Sequence, residues 1–141
     1  MQKNKECKNL DIKKYEVIFV DVELKENERI DDLEFKGLKI IQNEKGFCFG
    51  MDSVLLSDFA KNMKNNSTVL DLGTGTGIIP ILLCGKTNLK KVVGIEIQQD
   101  VANMAKRSSQ LNNLQDRFEV VNTNIIDLKN IYEKQSFDVI T

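Results

Sequence analysis

Residues 69–77 read Val-Leu-Asp-Leu-Gly-Thr-Gly-Thr-Gly. A short apolar strand carries one acid, Asp71, and then breaks into three alternating glycines, Gly73, Gly75 and Gly77. Glycines at such a turn admit positive φ and let a ligand approach the bare backbone, while the helix that follows offers the unpaired N–H groups of its first turn. A chain built around this unit is committed to a strand, a tight loop and a helix, the opening of an α/β nucleotide-type site.

The spacing separates two ligand classes. A dinucleotide fingerprint places its glycines as G-x-G-x-x-G and aims the helix N-terminus at a pyrophosphate. Counted from Gly73 that pattern requires glycine where Ile78 stands, and counted from Gly75 it requires glycine where Pro80 stands. Asp71, two residues ahead of the first glycine, repels a phosphate and favours a ligand bearing an ammonium and a sulfonium, charges that S-adenosylmethionine (AdoMet) carries together. Val92-Val93-Gly94-Ile95-Glu96 reads as the next parallel strand, and its closing carboxylate lies about 20 residues beyond the loop, where such folds grip ribose hydroxyls. On this reading Asp71→Asn weakens the cofactor more than Glu96→Gln does.

The same alternation organises the rest. Strand 68–72, a short helix with Pro80 in its first turn and Gly85 at its end, strand 91–96, a helix from Asp100 to about Leu111 and strand 118–121 form a βαβαβ run. The fold class expected is α/β, an incomplete Rossmann-like doubly wound parallel sheet preceded by an N-terminal β-hairpin and helix. Met104, Ala105, Ser108 and Leu111 make the buried stripe of the second helix of that run, with Met104 as core filler. Asn122 to Asn124 leave the third strand at its carboxyl end, on the ligand side of such a sheet. Phe137 to Thr141 begin a fourth strand.

Upstream, residues 1–14 form a lysine- and asparagine-rich leader without assigned function, Tyr15 to Val22 a strand, and Glu23 to Asp32 a charged connector. Leu38-Lys39-Ile40 and Phe47-Cys48-Phe49 alternate around Asn43-Glu44-Lys45-Gly46, which predicts a hairpin. Asp52 caps a helix whose apolar stripe is Leu55, Leu56, Phe59, Ala60 and Met63, and at least one of Phe47 and Phe49 packs in the core. The domains expected are the leader at 1–23, the hairpin and helix at 24–66, and a cofactor-binding half at 67–141.

Composition excludes several chemistries. The 141 residues carry no histidine, which removes the commonest general base and every Ser-His or Cys-His nucleophile arrangement. Cys7, Cys48 and Cys84 are far apart, so neither a disulfide framework nor a metal site is expected, and a reducing cytoplasm fits best. A formal net charge of −1 provides no global basic field for nucleic acid. No run approaches the about 20 apolar residues of a membrane span.

Four stretches together carry a resemblance. Glu28-Arg29-Ile30-Asp31-Asp32-Leu33, Gly37-Leu38-Lys39-Ile40-Ile41-Gln42, Gly46-Phe47-Cys48-Phe49-Gly50-Met51-Asp52-Ser53-Val54-Leu55-Leu56 and Asp71-Leu72-Gly73-Thr74-Gly75-Thr76-Gly77 are similar to the bacterial class I methyltransferases that act on adenine N6 beside the anticodon of a valine tRNA. The resemblance covers residues 24–141. The glycine motif is common to class I methyltransferases, and the Phe-Gly-Met-Asp-Ser-Val-Leu-Leu stretch narrows the group.

The resemblance implies AdoMet as cofactor and tRNA as the substrate of the full-length protein. It puts Asp71, Gly73, Gly75 and Gly77 along the methionine moiety, Glu96 on the ribose hydroxyls and Ile97 on the adenine, with Thr74 also binding the cofactor and Phe49 and Asp52 in a segment lying over it. Asn124 stands where the group usually offers an Asp to the adenine amine, and an amide oxygen still accepts that bond. Members of the group continue their fourth strand into Asn-Pro-Pro-Tyr, which binds the target amine and stacks on the flipped base, as enzymes acting on nucleobases require. This chain ends at Thr141, ahead of that motif. No catalytic residue is therefore assigned within it, and the 141-residue segment is expected to be inactive alone. Three alternatives stay open: a non-catalytic AdoMet-binding module, a nicotinamide oxidoreductase, and a methyltransferase acting on small molecules or protein.

Overall fold

The computed structural model describes residues 22–141. The leader and the strand expected at Tyr15 to Val22 lie outside them, apart from Val22, which belongs to no strand. The elements run β1 (Glu28–Asp32), β2 (Lys39–Asn43), α1 (Met51–Ala60), β3 (Thr68–Leu72), α2 (Ile78–Lys86), β4 (Lys91–Glu96), α3 (Gln99–Leu111) and β5 (Phe118–Asn122). A 3₁₀ turn at Ile125–Asp127 then leads into α4 (Leu128–Ile131) and β6 (Val139–Ile140).

Strands β3 to β6 form one parallel sheet in the order β5-β4-β3-β6. Their sequences are nearly continuous apolar runs because both faces are covered. On one face Val69, Val92, Phe118 and Val120 pack with Ile78, Ile81 and Leu82 of α2 and Ala102 and Ala105 of α3. On the other, Leu70, Val93 and Ile95 meet Leu72, Val121, Leu128, Tyr132 and Phe137. The strand order places the carboxyl ends of β3 and β4 side by side at the middle of the sheet, with β6 added on the far side of β3. Met104, Ala105 and Ser108 are buried on α3, while Leu111 is half-buried.

The hairpin differs from the expected one. β2 pairs backwards with β1, antiparallel, with Ile30 opposite Ile41. Asn43 to Gly46 do turn, through Gly46 N–H to the Asn43 carbonyl (3.0 Å), but residues 47–49 do not return as a strand. The charged connector supplies the partner strand because its acids are paired, by its own Arg29 and by side chains from β2 and α3. Glu28 is gripped by both terminal nitrogens of Arg107 on α3, each at 2.6 Å, and Asp31 accepts from Arg29 (2.8 Å) and Gln42 (2.6 Å). Asn112 at the end of α3 continues the clasp, accepting from Lys39 N–H (2.8 Å) and donating to the Lys39 carbonyl (2.6 Å).

The bidentate hydrogen bond from Arg107 holds the Glu28 carboxyl below its ordinary value of 4.5, against a smaller opposing effect of burial. A depressed carboxylate stabilises the fold fully above the unfolded-state value and loses that contribution as pH falls through the folded one. Glu28→Gln is expected to cost about 1.5–3 kcal/mol at pH 7 and progressively less as the pH is lowered below 4.5, measured by urea unfolding across pH.

Helix α1 also differs. Gly50, not Asp52, is the residue at its N-cap; Asp52 lies in the first turn, where its charge favours the positive end of the helix dipole. The apolar stripe expected on Leu55, Leu56 and Phe59 faces outward, with Phe59 82% exposed. The inward face is made of Val54, Ser57, Ala60 and Met63 at a spacing of three. These smaller side chains let α1 lie close on α2. Ser57 is buried at little cost because its hydroxyl donates to the Val54 carbonyl (2.7 Å) and accepts from Lys86 Nζ (2.8 Å).

Candidate functional site

At the carboxyl ends of β3 and β4 the glycine loop folds back over the sheet. Thr74 N–H donates to the Ile95 carbonyl (2.8 Å) and Gly77 N–H to the Thr74 carbonyl (3.0 Å). Gly73, Gly75 and Gly77 take φ values of 72°, 59° and 93°, the region that favours glycine. Thr74 is seated on Gly94 of β4: a β-carbon there would lie 2.6 Å from Thr74 Oγ1 and 2.8 Å from its Cβ. Gly94→Ala is therefore expected to unseat the loop and cost about 1–3 kcal/mol, read from urea unfolding.

Glu96, at the end of β4 and 6% exposed, braces the loop. Its Oε2 accepts from Gly75 N–H (3.0 Å) and its Oε1 from Gln98 N–H (2.9 Å). A carboxylate offers about four acceptor directions, so each oxygen keeps one for a further donor. Asn122 at the end of β5 supports the strand end from below, donating to the Glu96 carbonyl (2.7 Å) and the Ile97 carbonyl (3.0 Å).

These elements enclose a cavity of about 360 Å³. That lies within the range of about 300–1,000 Å³ typical of small-molecule sites. The glycine loop contributes Gly73, Thr74, Gly75 and Thr76; α2 contributes Ile78 and Ile79; β4 and the start of α3 contribute Glu96, Gln98, Val101 and Met104. Asn43, Gly46, Phe47, Phe49 and Ser53 close it from the hairpin side. A β-carbon on Gly73 or Gly75 would meet no atom within 4 Å, so the loop backbone borders open space.

Of the residues singled out from sequence, Gly73, Thr74, Gly75, Glu96 and Phe49 meet around this cavity, and five do not line it. Asp71 sits behind the loop, 2% exposed, with Oδ1 accepting from the Thr141 hydroxyl at 2.8 Å. Burial pushes its carboxyl above the ordinary aspartate value, the hydroxyls of Thr74 and Thr141 opposing this in part. Gly77 is the N-cap of α2 and faces Phe118. Ile97 is 62% exposed outside the cavity. Asn124 caps the 3₁₀ turn, its Oδ1 accepting from Ile126 N–H at 3.0 Å. Asp52 points its carboxylate back over Gly50.

Among the described residues, the buried side-chain polar atoms without a hydrogen-bond partner of ordinary geometry are Asp71 Oδ2 and Thr74 Oγ1, which face one another behind the loop. Among the described residues no group of three or more metal-ligating side chains comes together, and no helix is long and apolar enough to cross a membrane.

Sequence reasoning did not mark Asn43, Gly46, Phe47, Ser53, Thr76, Ile78, Ile79, Gln98 or Val101 as site residues. Most of these adjoin residues already marked, and the wall on the hairpin side comes from the segment that Phe49 was expected to bring over the cofactor. Met104, read as core filler, is buried and also floors the cavity.

A family model described as a methyltransferase domain matches residues 63–141. A Methanocaldococcus jannaschii protein named for N5-glutamine methylation of protein is 35% identical over 82 residues, covering 58% of this chain and 41% of the relative. The tRNA1(Val) (adenine(37)-N6)-methyltransferase of Porphyromonas gingivalis is 32% identical over 115 residues, covering 78% of this chain and 45% of the relative. The chain thus spans less than half the length of these relatives. Among solved structures, M. jannaschii TYW2 in complex with AdoMet superposes with a TM-score of 0.66 at 19% identity, covering 84% of this chain and 52% of its own, a likeness of fold.

Proposed function

This chain belongs to the methyltransferase domain family, and from that premise we propose that its cavity holds AdoMet and that the whole protein methylates N6 of adenine in tRNA. The observation that carries the cofactor reading is the pairing of an open glycine loop with Glu96, a buried carboxylate that retains acceptor capacity at the cavity wall.

The residues present fit the cofactor. The backbone at Gly73 and Gly75 admits a close neighbour, and Glu96 is set to accept from ribose hydroxyls. The apolar lining of Ile78, Ile79, Val101 and Met104 suits a flat heterocycle. When bound, AdoMet supplies a methyl group on a sulfonium, which leaves as a neutral thioether once an amine attacks in line. The protein's own contribution is to hold the two reactants in register and exclude water, and such proximity is worth about 7–11 kcal/mol of barrier. Orientation rather than proton abstraction carries most of that task, and this chain's residues would supply the cofactor's share of it without a histidine.

The adenine acceptor is supported by the P. gingivalis match, although a relative named for methylation of ribosomal protein L11 reaches nearly as far, over 70% of this chain. Residues 63–141 are little more than half the chain, so a match over 78% of it extends into the hairpin or α1, beyond the shared cofactor domain. The glutamine-methylating relative has the higher identity over a shorter stretch, which favours a protein amide as the second reading. The full-length protein, incubated with AdoMet and unmodified tRNA, is expected to yield N6-methyladenosine on nucleoside mass spectrometry. Methyl transfer to protein glutamine with none to tRNA would replace the first reading by the second.

A further inference from the structure

We propose that Gln42 is the positioning residue that sets the aromatic wall of the cofactor cavity, an inference that rests on the reading of that cavity as an AdoMet site. Gln42 lies on β2, 2% exposed, beside the fully buried Ile40 and Ile41. A glutamine in such surroundings is costly unless both ends of its amide are paired. Both are. Its Oε1 accepts from Phe49 N–H at 2.9 Å, and its Nε2 donates to Asp31 Oδ2 at 2.6 Å. Asp31 in turn takes Arg29 Nε on its other oxygen at 2.8 Å.

The orientation is dictated by chemistry. An ionised carboxylate only accepts and a backbone N–H only donates, so the amide nitrogen must face Asp31 and its oxygen Phe49. Arg29 and Gln42 together hold Asp31 below its ordinary value, which keeps it ionised and the relay in this sense.

Few other hydrogen bonds fix the segment so held. Residues 47–50 belong to no strand or helix, and Phe47, which lines the cavity with Phe49, is 89% exposed and so is not placed by packing. Apart from the Gln42 bond and the packing of the Phe49 ring on the core, this stretch is held by the long sulfur contacts of Cys48 with the Asn43 carbonyl (3.8 Å) and Arg29 Nη2 (3.9 Å). Holding Phe49 before a ligand arrives removes the ordering cost that binding would otherwise incur. A residue outside the cavity wall thus acts on the cofactor through the backbone of one that lines it.

The test compares the wild type with Gln42→Leu, and Gln42→Glu with the double change Gln42→Glu plus Asp31→Asn. The double change preserves an acceptor for Phe49 N–H and re-forms the link to position 31 with donor and acceptor exchanged. AdoMet affinity is measured by calorimetry well below each variant's melting transition, and amide hydrogen exchange is followed residue by residue. Gln42→Leu is expected to weaken AdoMet by about tenfold and to speed exchange at Phe49, with β3 to β5 as protected as before. Gln42→Glu alone sets a carboxylate against Asp31 and is expected to weaken binding similarly, and adding Asp31→Asn to restore it to within about threefold.

Wild-type affinity in Gln42→Leu, or unchanged protection of Phe49, would overturn the inference while leaving the cofactor reading intact. Should Gln42→Leu fail to fold, absence of rescue in the double variant does the same. A wild-type protein that binds no AdoMet overturns the cofactor reading and this inference with it.

Discussion

Glu96→Ala is expected to weaken AdoMet by about a hundredfold, the largest effect of any single side chain at the cavity. Truncation removes the acceptors that face the proposed ribose hydroxyls and also frees Gly75 N–H and Gln98 N–H, which Glu96 now holds at 3.0 and 2.9 Å. Hydrogen bonds to a charged group are worth about 1.5–3 kcal/mol each, and about 2.7 kcal/mol is already a hundredfold in affinity. Glu96→Gln is expected to fall between, since its amide nitrogen must oppose one of two backbone donors. Asp71→Asn is expected to cost less than either. Asp71 lies behind the loop and not in the cavity wall, and burial already disfavours its charge. This reverses the order read from sequence, where charge alone ranked Asp71 first. Calorimetric titration of the three variants, with the melting of each ligand-free protein measured alongside, separates lost contacts from lost loop structure. Asp71→Asn weaker than Glu96→Ala would reinstate the first order.

Gly77→Ala is expected to destabilise the fold by about 2–5 kcal/mol, from two sources that add. The backbone at Gly77 sits at φ 93°, where a β-carbon costs about 1–2 kcal/mol. That β-carbon would also lie 2.7 and 2.9 Å from the ring of Phe118, which is 2% exposed and cannot yield without opening the core, an overpacking cost of about 1–3 kcal/mol. Gly75→Ala is the internal control. Its φ of 59° imposes the strain term, but its β-carbon meets open space, so only about 1–2 kcal/mol should be lost. The difference between the two in urea unfolding measures the Phe118 contact, and equal losses would show that Gly77 serves the turn alone.

The parallel sheet was legible because every signal for it is local. Strands 68–72 and 91–96 announce themselves as β-branched apolar runs, and the glycines that follow the first can hardly belong to a helix or strand interior. That a hairpin precedes the sheet was legible too, but which strands form it was not, for the opposite reason. β1 carries four charged residues in five, and what makes it a strand is Arg107, 79 residues away, and Gln42, 11 residues away. Helix α1 misled because large side chains were assumed to face inward, whereas Ser57 is the buried residue and its hydroxyl bonds are tertiary.

The site divides along the same line. Loop residues and Glu96 follow from spacing, since a strand end and a turn fix where their backbones point. Asp71 shows the limit of that reasoning: its position in the motif was evident, but which way its carboxylate faces depends on the face of β3 it occupies and on the Thr141 hydroxyl. Phe49 packs partly on the core, while Phe47 stands at the rim, a division that alternation alone does not give and that accompanies a tertiary bond from Phe49 N–H to Gln42.

The most direct measurement is a crystal structure of this chain grown with AdoMet. The account predicts the ligand across Gly73 to Gly75 with its ribose hydroxyls in hydrogen-bond reach of Glu96 and its heterocycle against the apolar lining of Val101 and Met104. A structure in which AdoMet lies elsewhere, or in which a dinucleotide occupies the loop while AdoMet fails to compete, would contradict it.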